Sequence, residues 1–214
     1  MKKTIIYICF SILAGSLFAQ ELKTIELNPP NLKRGLPVME ALSLRASASE
    51  FPDVKKLSLQ ELSDLLWAAN GINRKESGKR TAPSAMNSQD IDVYVFTEEG
   101  AYLYVANSHV LNLVASGDQR GLVAGRQVEF AKAAVMLVLV SDISRFKSGD
   151  EPSKLSWAAM DAGIVSQNIA IFCAGTGLNT RPRATMDFEK LQSVLHLKDS
   201  QHLILNNPVS YQKE

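Results

Sequence analysis

The stretch from Ser156 to Thr176 constrains the fold of this 214-residue chain more than any other feature. Its spacing and composition predict a helix of about 30 Å, at 1.5 Å per residue, that ends at Gly177. It is the most apolar helix candidate in the chain. Asp161, Gln167 and Asn168 lie within it, and these polar residues favour a buried core or interface helix over a membrane span.

Two other patterns predict strands. Ala134 to Val140 is a continuous apolar run, typical of a strand that is buried on both faces. From Ile91 the chain alternates between apolar and polar residues, turns at residues 98–100 and alternates again, which predicts a β-hairpin. Helices and strands are mixed without regular β-α-β alternation. The sequence therefore predicts an α+β layer fold, with a single domain over residues 38–214.

Capping signals mark further elements. Ser58 and Glu61 have the spacing of a capping box, and the apolar face that follows predicts a helix up to Gly71. The same kinds of signal predict short helices over Val38 to Leu44, Leu122 to Lys132 and Asp187 to Leu197, a last strand over His202 to Leu205, and a charged loop over Arg74 to Arg80.

The N-terminus has the pattern of a secretory signal peptide. Lys2 and Lys3 precede an apolar run that is too short to span a bilayer, and small residues follow that run up to Ala19. Cys9 lies in the middle of the run, which argues against a lipoprotein anchor. We expect cleavage near Ala19 and a secreted or periplasmic chain, with a buried first helix as the alternative. Residues 20–37, which contain three prolines, are expected to form an extended arm.

The charge balance changes when residues 1–19 are removed. The full chain has 23 Lys and Arg against 22 Asp and Glu, and because the removed segment carries two lysines and no acid, the net charge of +1 becomes −1. A near-neutral chain without a basic stripe is not typical of nucleic-acid binding. Cys173 is then the single cysteine, so stability must come from packing or association and not from an internal disulfide.

The sequence has no pattern of a catalytic centre made from side chains. Glycine-rich nucleotide loops, Cys-x-x-Cys and His-Glu-x-x-His are all missing. His109, His196 and His202 are scattered without carboxylates at ligand spacing, so no metal site is predicted. Cys173 lies in an apolar stretch and is predicted to act as a small hydrophobe. Redox chemistry in this chain would therefore depend on a bound cofactor.

Three polar segments have the chemistry of cofactor contacts. Residues 45–49, Arg-Ala-Ser-Ala-Ser, place a guanidinium and two hydroxyls together, which suits a phosphate group. Residues 83–89, Pro-Ser-Ala-Met-Asn-Ser-Gln, offer hydroxyl and amide groups that can bind a heteroaromatic edge. Residues 177–185, Gly-Leu-Asn-Thr-Arg-Pro-Arg-Ala-Thr, follow the long helix and contain two arginines. Each segment taken alone is also compatible with an ordinary turn.

In this order, the three segments resemble the nitroreductase-like family of FMN-dependent oxidoreductases, above all its branch of thiazole/oxazole-forming dehydrogenases. The resemblance extends from Val38 to Tyr211. It implies a central, mostly antiparallel sheet flanked by helices, a long helix at a homodimer interface, and FMN between the subunits. The cofactor contacts that it implies are Arg45, Ala46, Ser47 and Ser49 at the phosphate and ribityl group, Pro83, Ser84, Ala85 and Asn87 across the dimer interface, Gln127 at the ring, and Pro182, Arg183, Ala184 and Thr185 below the ring, with the amides of Ala184 and Thr185 near N5.

The chemistry implied by this resemblance is that of the flavin. Hydride is accepted at N5 from a reductant, such as NAD(P)H, and passed to a small organic acceptor, so no catalytic side chain is implied. A non-catalytic flavin-binding or interaction protein on the same fold is an alternative, and a periplasmic solute-binding module without flavin is another.

The chain departs from the family pattern at three positions. Ser49 stands where a second phosphate-binding cation is expected, and a hydroxyl makes a weaker bond to an anion than a cation does. Ser210 and Gln212 replace a glycine and a proline of the C-terminal motif. Lys213 and Arg183 are the candidates for a substitute cation at the phosphate.

Overall fold

The computed structural model describes residues 24–51 and 55–212. The expected signal peptide, residues 20–23 of the expected arm and Lys213 lie outside these ranges. The described strands are β1 (Thr24–Glu26), β2 (Ile72–Arg74), β3 (Lys79–Arg80), β4 (Ile91–Phe96), β5 (Gly100–Val105), β6 (Val110–Ser116), β7 (Val135–Asp142), β8 (Leu178–Thr180) and β9 (Gln201–Tyr211). The described α-helices are α1 (Val38–Leu44), α2 (Leu59–Asn70), α3 (Arg120–Ala124), α4 (Glu151–Thr176) and α5 (Phe188–Val194).

Seven of these strands form one sheet, in the order β1-β6-β5-β4-β7-β9-β8. Every neighbouring pair in it is antiparallel. The strands β2 and β3 form a separate two-stranded hairpin. The predicted α+β fold with an antiparallel central sheet is therefore confirmed.

The strand β7 lies at the centre of the sheet, between β4 and β9. Its side chains alternate between two hydrophobic cores, as a strand covered on both faces requires. Leu137 and Leu139 belong to the core that contains residues of α2 and α4. Met136 and Val138 belong to the core that contains residues of α3 and α5. The strand predicted over Ala134 to Val140 is confirmed, and so is its burial.

The long helix α4 is also confirmed, and it begins earlier than predicted. The Asp150 carboxylate accepts the N–H of Ser153 at 3.1 Å and caps the N-terminus, with Pro152 in the first turn, where a missing N–H is harmless. Gly177 ends the helix with a φ of 74°, in the left-handed region. By length and composition α4 is able to cross a membrane, but half of its apolar window is buried inside the protein, as in a core helix.

The other capped elements agree with the sequence. The helix α1 has the predicted bounds. At α2, the Ser58 hydroxyl accepts the N–H of Glu61 and the Glu61 carboxylate accepts the N–H of Ser58, which completes the predicted capping box. The Asp187 carboxylate accepts the N–H of Lys190 at the start of α5. The hairpin of β4 and β5 is present as predicted.

Three predictions are wrong in their bounds or type. The helix predicted over Leu122 to Lys132 is broken, because α3 ends at Gly125 with a φ of 59° and a 3₁₀ turn follows over Val128–Lys132. The predicted loop over Arg74 to Arg80 contains the hairpin of β2 and β3, with Gly78 at a φ of 62° in its turn. The strands β1, β6 and β8 are absent from the prediction, and β1 places part of the expected arm at the sheet edge.

The last strand is much longer than the predicted His202 to Leu205, because it continues through Pro208. Asn206 exchanges backbone hydrogen bonds with Arg183, at 2.8 and 2.7 Å. Pro208 lies two residues further on and faces the same side of the strand, beyond the end of β8 at Thr180. Its missing N–H therefore removes no bond of the β8–β9 ladder.

Candidate functional site

The segment of residues 45–49 lies against the end of β8. The N–H of Ala48 donates to the carbonyl of Thr180 at 3.0 Å, which fixes the segment beside the residues that follow the strand. Ala46 and Ala48 line a small cavity together with Cys173 and Ala174 of α4. The segment thus lies over the C-terminal half of α4.

The polar groups of this segment are available to a ligand. Ser47 and Ser49 are exposed and Arg45 is half-buried. Throughout the described ranges, none of these three side chains has a hydrogen-bond or ion-pair partner, whereas other arginines of the chain, such as Arg145, are paired with aspartates. One guanidinium and two hydroxyls without partners make a donor set that fits a phosphate group.

Residues 182–185 continue from β8 directly beside this segment. Ala184 and Thr185 are exposed, and their backbone N–H groups have no acceptor among the described residues. The carbonyl of Thr185 is held by the side-chain amide of Asn206, at 3.1 Å. Two fixed, unsatisfied amides at an exposed position suit the electron-rich edge of a bound heteroaromatic ring.

Arg183 has a different role from its neighbours, because its side chain is buried and fully occupied. Its guanidinium donates to the side-chain oxygens of Gln127 and Asn206 and to the carbonyls of Val123 and Ala124, at 2.8 to 3.3 Å. These bonds use all five of its N–H groups. Arg183 therefore has no donor left for a phosphate, and Lys213, the other candidate for the substitute cation, lies outside the described residues.

Gln127 is oriented by Arg183. Its side-chain oxygen accepts from Nε and Nη2 of Arg183, at 3.2 and 3.0 Å. The amide NH₂ of Gln127 then points away from the guanidinium and has no acceptor in the described part of the chain. Arg183 thus fixes which end of Gln127 faces a ligand, and a donor suits a ring carbonyl.

The segment of residues 83–89 has a strained backbone. Met86, Asn87 and Gln89 have φ values of 53°, 52° and 49°, in the left-handed region that residues other than glycine rarely adopt. Side chains hold this shape: the Ser84 hydroxyl accepts the N–H of Gln89 at 2.8 Å. Such strain persists only where the surrounding structure enforces it, and it occurs most often at functional sites.

A buried pair of carboxyl groups anchors this segment to α4. Asp161 accepts the N–H of Ala85 with both carboxylate oxygens. The side chain of Asp90 contacts Asp161 and accepts from the hydroxyls of Ser141 and Ser88. Burial and the neighbouring Asp90 raise the pKa of Asp161 to about 7, against the opposing effect of the Ala85 amide. Sequence reasoning used Asp161 only as an argument against a membrane span, although an acid in an apolar helix also signals such an anchor.

The predicted contacts form two groups in a single chain. Residues 45–49 lie at the C-terminal half of α4 and at the end of β8, residues 182–185 continue from that end of β8, and Gln127 joins them through Arg183. Residues 83–87 are held at Asp161, about 18 Å along the helix from Cys173 at 1.5 Å per residue. One chain therefore does not bring all the predicted contacts to one place.

His109 and Cys173 have structural contacts. His109 contacts the Tyr104 hydroxyl and the Asn28 carbonyl, each at 2.9 Å, and burial lowers its pKa. Cys173 is buried in the core, and burial raises the pKa of its thiol. Among the residues that the structure describes, no cluster of His, Cys, Asp and Glu could hold a metal ion.

Comparison with protein families shows the family to which this chain belongs. The model of the nitroreductase family matches residues 43–210, which include every predicted contact. The chain belongs to the nitroreductase family. No curated protein sequence matches it significantly. The family assignment is consistent with the flavin-compatible donors described above.

Solved structures of other proteins have the same fold. A protein of Ralstonia eutropha described as a nitroreductase is 32% identical over 89% of this chain and 90% of its own, with a TM-score of 0.82. A Staphylococcus epidermidis protein described as an NAD(P)H:FMN oxidoreductase is 14% identical over 86% of this chain and 90% of its own, with a TM-score of 0.65. A chain of the Escherichia coli microcin synthetase McbBCD complex is 18% identical over 99% of this nitroreductase-family chain and 85% of its own, with a TM-score of 0.69. The last two similarities concern the fold alone.

Proposed function

We propose that this chain is an FMN-dependent oxidoreductase that transfers hydride to a small organic acceptor. The observation that carries the proposal is the bond from Ala48 to Thr180, which holds the unpartnered donors of residues 45–49 beside the exposed amides of Ala184 and Thr185. The donors of residues 45–49 suit a phosphate, and the two amides suit the polar edge of a flavin ring. Bound FMN would supply the hydride chemistry at its N5.

The residues of the chain have distinct tasks in this proposal. Arg45 and the hydroxyls of Ser47 and Ser49 bind the phosphate and ribityl group. The N–H groups of Ala184 and Thr185 donate to the ring near N5, where they stabilise the charge that reduction adds. Gln127, held by Arg183, donates its NH₂ to the ring. None of these residues needs to gain or lose a proton.

We further propose that the chain acts as a homodimer, with residues 83–87 of one subunit completing the site of the other. Within one chain this segment lies about 18 Å along α4 from the other contacts, by the rise of a helix. A two-fold axis across the helix would bring the segment of each subunit to the opposite site. The exposed apolar residues near α1 and on α4 suit such an interface: Leu32, Leu36, Val38, Met39, Leu42, Leu44 and Met160.

Export remains part of the proposal, as does the branch of the family. We propose, from the N-terminal pattern, that the enzyme is exported from the cytoplasm. NAD(P)H is scarce there, so another reductant would supply the electrons. The resemblance to the thiazole/oxazole-forming dehydrogenases rests on residues 57–72, on residues 80–89 and on the C-terminal motif. Ser210, one of its departures, is accommodated by the fold, because its hydroxyl accepts the N–H of Ala134 at 3.0 Å.

Turnover tests the enzymatic function. The chain without residues 1–19 is loaded with FMN and mixed anaerobically with NADH, NADPH or dithionite, and the flavin absorbance is followed. We expect it to bleach and then to recover when a quinone or a nitroaromatic compound is added. Flavin that is bound but cannot be cycled would contradict the enzyme and favour the non-catalytic flavin-binding protein.

Mixed dimers test the shared site. Arg45→Ala removes the phosphate contact in the same subunit, and Pro83→Trp places a bulky side chain at an exposed position that faces the partner's site. At an FMN concentration near the wild-type Kd, each variant alone should have little activity. Refolded together in equal amounts, they should recover about one quarter of the wild-type activity, because half of the dimers are mixed and half of their sites are intact. No recovery in dimers shown to be mixed would contradict the exchange of residues 83–87 between subunits.

A further inference from the structure

The end of β8 carries a cluster of three arginines. Arg45, Arg181 and Arg183 lie on the two segments that the bond between Ala48 and Thr180 joins. In the described ranges none of the three forms an ion pair with a carboxylate. In a chain that is otherwise close to neutral, such a cluster points to an anion from outside the chain.

Arg183 is not the group that meets this anion, since its five N–H groups are already used. Its pKa is lowered mainly by burial, is raised by Glu129 and is lowered further by the charge of Arg181. The two guanidinium groups are therefore close enough to repel each other. An anion that binds between or beside the two cations offsets this repulsion.

Arg181 differs from Arg183 in having every donor available. It is half-buried, and no hydrogen-bond acceptor for its guanidinium occurs among the described residues. Its Cζ lies 5.9 Å from the ring centre of Phe130, and Arg183 lies over the same ring at 4.4 Å. An aromatic ring orients a guanidinium without occupying its N–H groups.

The location of Arg181 links it to Ser49. The ring of Phe130 contacts the ring of Phe51 edge-on, with centres 5.4 Å apart, and Phe51 lies two residues after Ser49. On the other side, Arg181 directly follows Thr180, the acceptor for Ala48. Arg181 thus lies on the strand end that is bonded to residues 45–49, and its guanidinium shares the Phe130 ring with Phe51, at the end of the segment where Ser49 offers a hydroxyl and the exposed Glu50 follows.

We propose that Arg181 is the second cation that binds FMN, and that it supplies from the end of β8 the charge that position 49 lacks. The inference rests on the flavin function proposed above. It assigns a binding role to a residue outside the predicted contacts and a structural role to Arg183. A guanidinium and an anionic group form charge-assisted bonds, roughly twice as strong as neutral ones.

This assignment is tested by titrating the folded chain without residues 1–19 with FMN. The flavin fluorescence is the readout. The Kd should rise about tenfold or more in Arg181→Gln and in Arg181→Met, which keeps the apolar stem over Phe130, and should change much less in Arg181→Lys. The matched control, Arg74→Gln, removes an exposed guanidinium from β2 and should leave the Kd unchanged. Thermal unfolding without FMN checks that each variant is folded.

A second substitution tests the link to position 49. Ser49→Arg introduced into Arg181→Gln should restore most of the lost FMN affinity, because both side chains reach the same anion. Wild-type affinity in folded Arg181→Gln and Arg181→Met, or no recovery in the double variant, would overturn the role of Arg181 and leave the flavin function standing. A wild-type chain that binds no FMN would overturn both.

Discussion

Both carboxylate oxygens of Asp161 accept the backbone N–H of Ala85, at 2.9 and 3.1 Å. This relationship joins the middle of the long helix to the strained segment that is proposed to enter the partner's site. The contact is buried, and Asp90 lies behind it. The Asp161 carboxyl group thus holds residues 83–87 in position.

The proton on Asp161 should make stability depend on pH. Its pKa is raised to about 7 in the folded chain, from an ordinary value of 3.8. Between these values the folded state holds a proton that the unfolded state has lost, so this group's stabilising contribution is complete below pH 3.8 and is lost as pH rises towards 7. Urea unfolding at pH 5 and pH 8 should show a larger fall in wild type than in Asp161→Asn.

Asp161→Asn keeps the contact with the N–H of Ala85 but removes the group that titrates. Its amide oxygen can accept the N–H of Ala85, and its NH₂ can donate to Asp90. Asp199→Asn, at an exposed position, is the matched control and should retain the wild-type pH profile. If Asp161→Asn followed the wild-type profile as well, Asp161 would not be the titrating group.

Removal of the Arg183 guanidinium should destabilise the fold strongly. Arg183→Met leaves the oxygens of Gln127 and Asn206 and two backbone carbonyls without their donor, at a cost of about 3–5 kcal/mol in the free energy of unfolding. For a domain of this size, that corresponds to a fall in Tm of roughly 6–20 °C. Arg126→Met, at an exposed arginine, should change the Tm little, and equal effects of the two would contradict the buried network.

The cap of α2 gives a smaller and better-defined prediction. Ser58→Ala removes the hydroxyl that accepts the N–H of Glu61, which should lower the free energy of unfolding by about 1 kcal/mol. Thermal unfolding should show a Tm lower by about 2–4 °C. Ser193→Ala, in the exposed part of α5, removes a hydroxyl without a capping role and should leave the Tm within error of wild type.

Cys173 should resist modification in the folded chain. Its side chain is buried, and burial raises the pKa of the thiol, so little thiolate is exposed at neutral pH. An aromatic disulfide reagent added to the chain without residues 1–19 should report no thiol before unfolding and one after addition of guanidinium chloride. Rapid reaction under native conditions would contradict the buried position.

Local signals predicted the capped elements well. Ser58, Asp187 and Gly177 act through bonds to residues a few positions away, so their roles can be derived from spacing alone. The continuous apolar run of β7 likewise predicts its own burial. These residues were sufficient for the α+β class and for the order of the main elements.

Features that depend on contacts between residues far apart in the chain could not be predicted from local sequence signals. In the sequence, Pro208 indicates the end of a strand. The strand β9 nevertheless continues, because β8 does not extend to the position opposite Pro208 and no hydrogen bond is lost there. Gly125 breaks a periodic helical pattern through a positive φ that its neighbours do not reveal. The available donors of Arg181 and the occupied donors of Arg183 differ only in tertiary partners, and two arginines separated by one proline look alike in sequence.

FMN binding is the measurement that tests the account most directly. The chain without residues 1–19 is purified, stripped of any bound flavin and titrated with FMN while the flavin fluorescence is recorded, with Arg45→Ala alongside. The account predicts saturable quenching with one FMN per chain and a Kd raised about tenfold or more in the variant. No saturable quenching by the folded wild-type chain, or equal binding by Arg45→Ala, would contradict it.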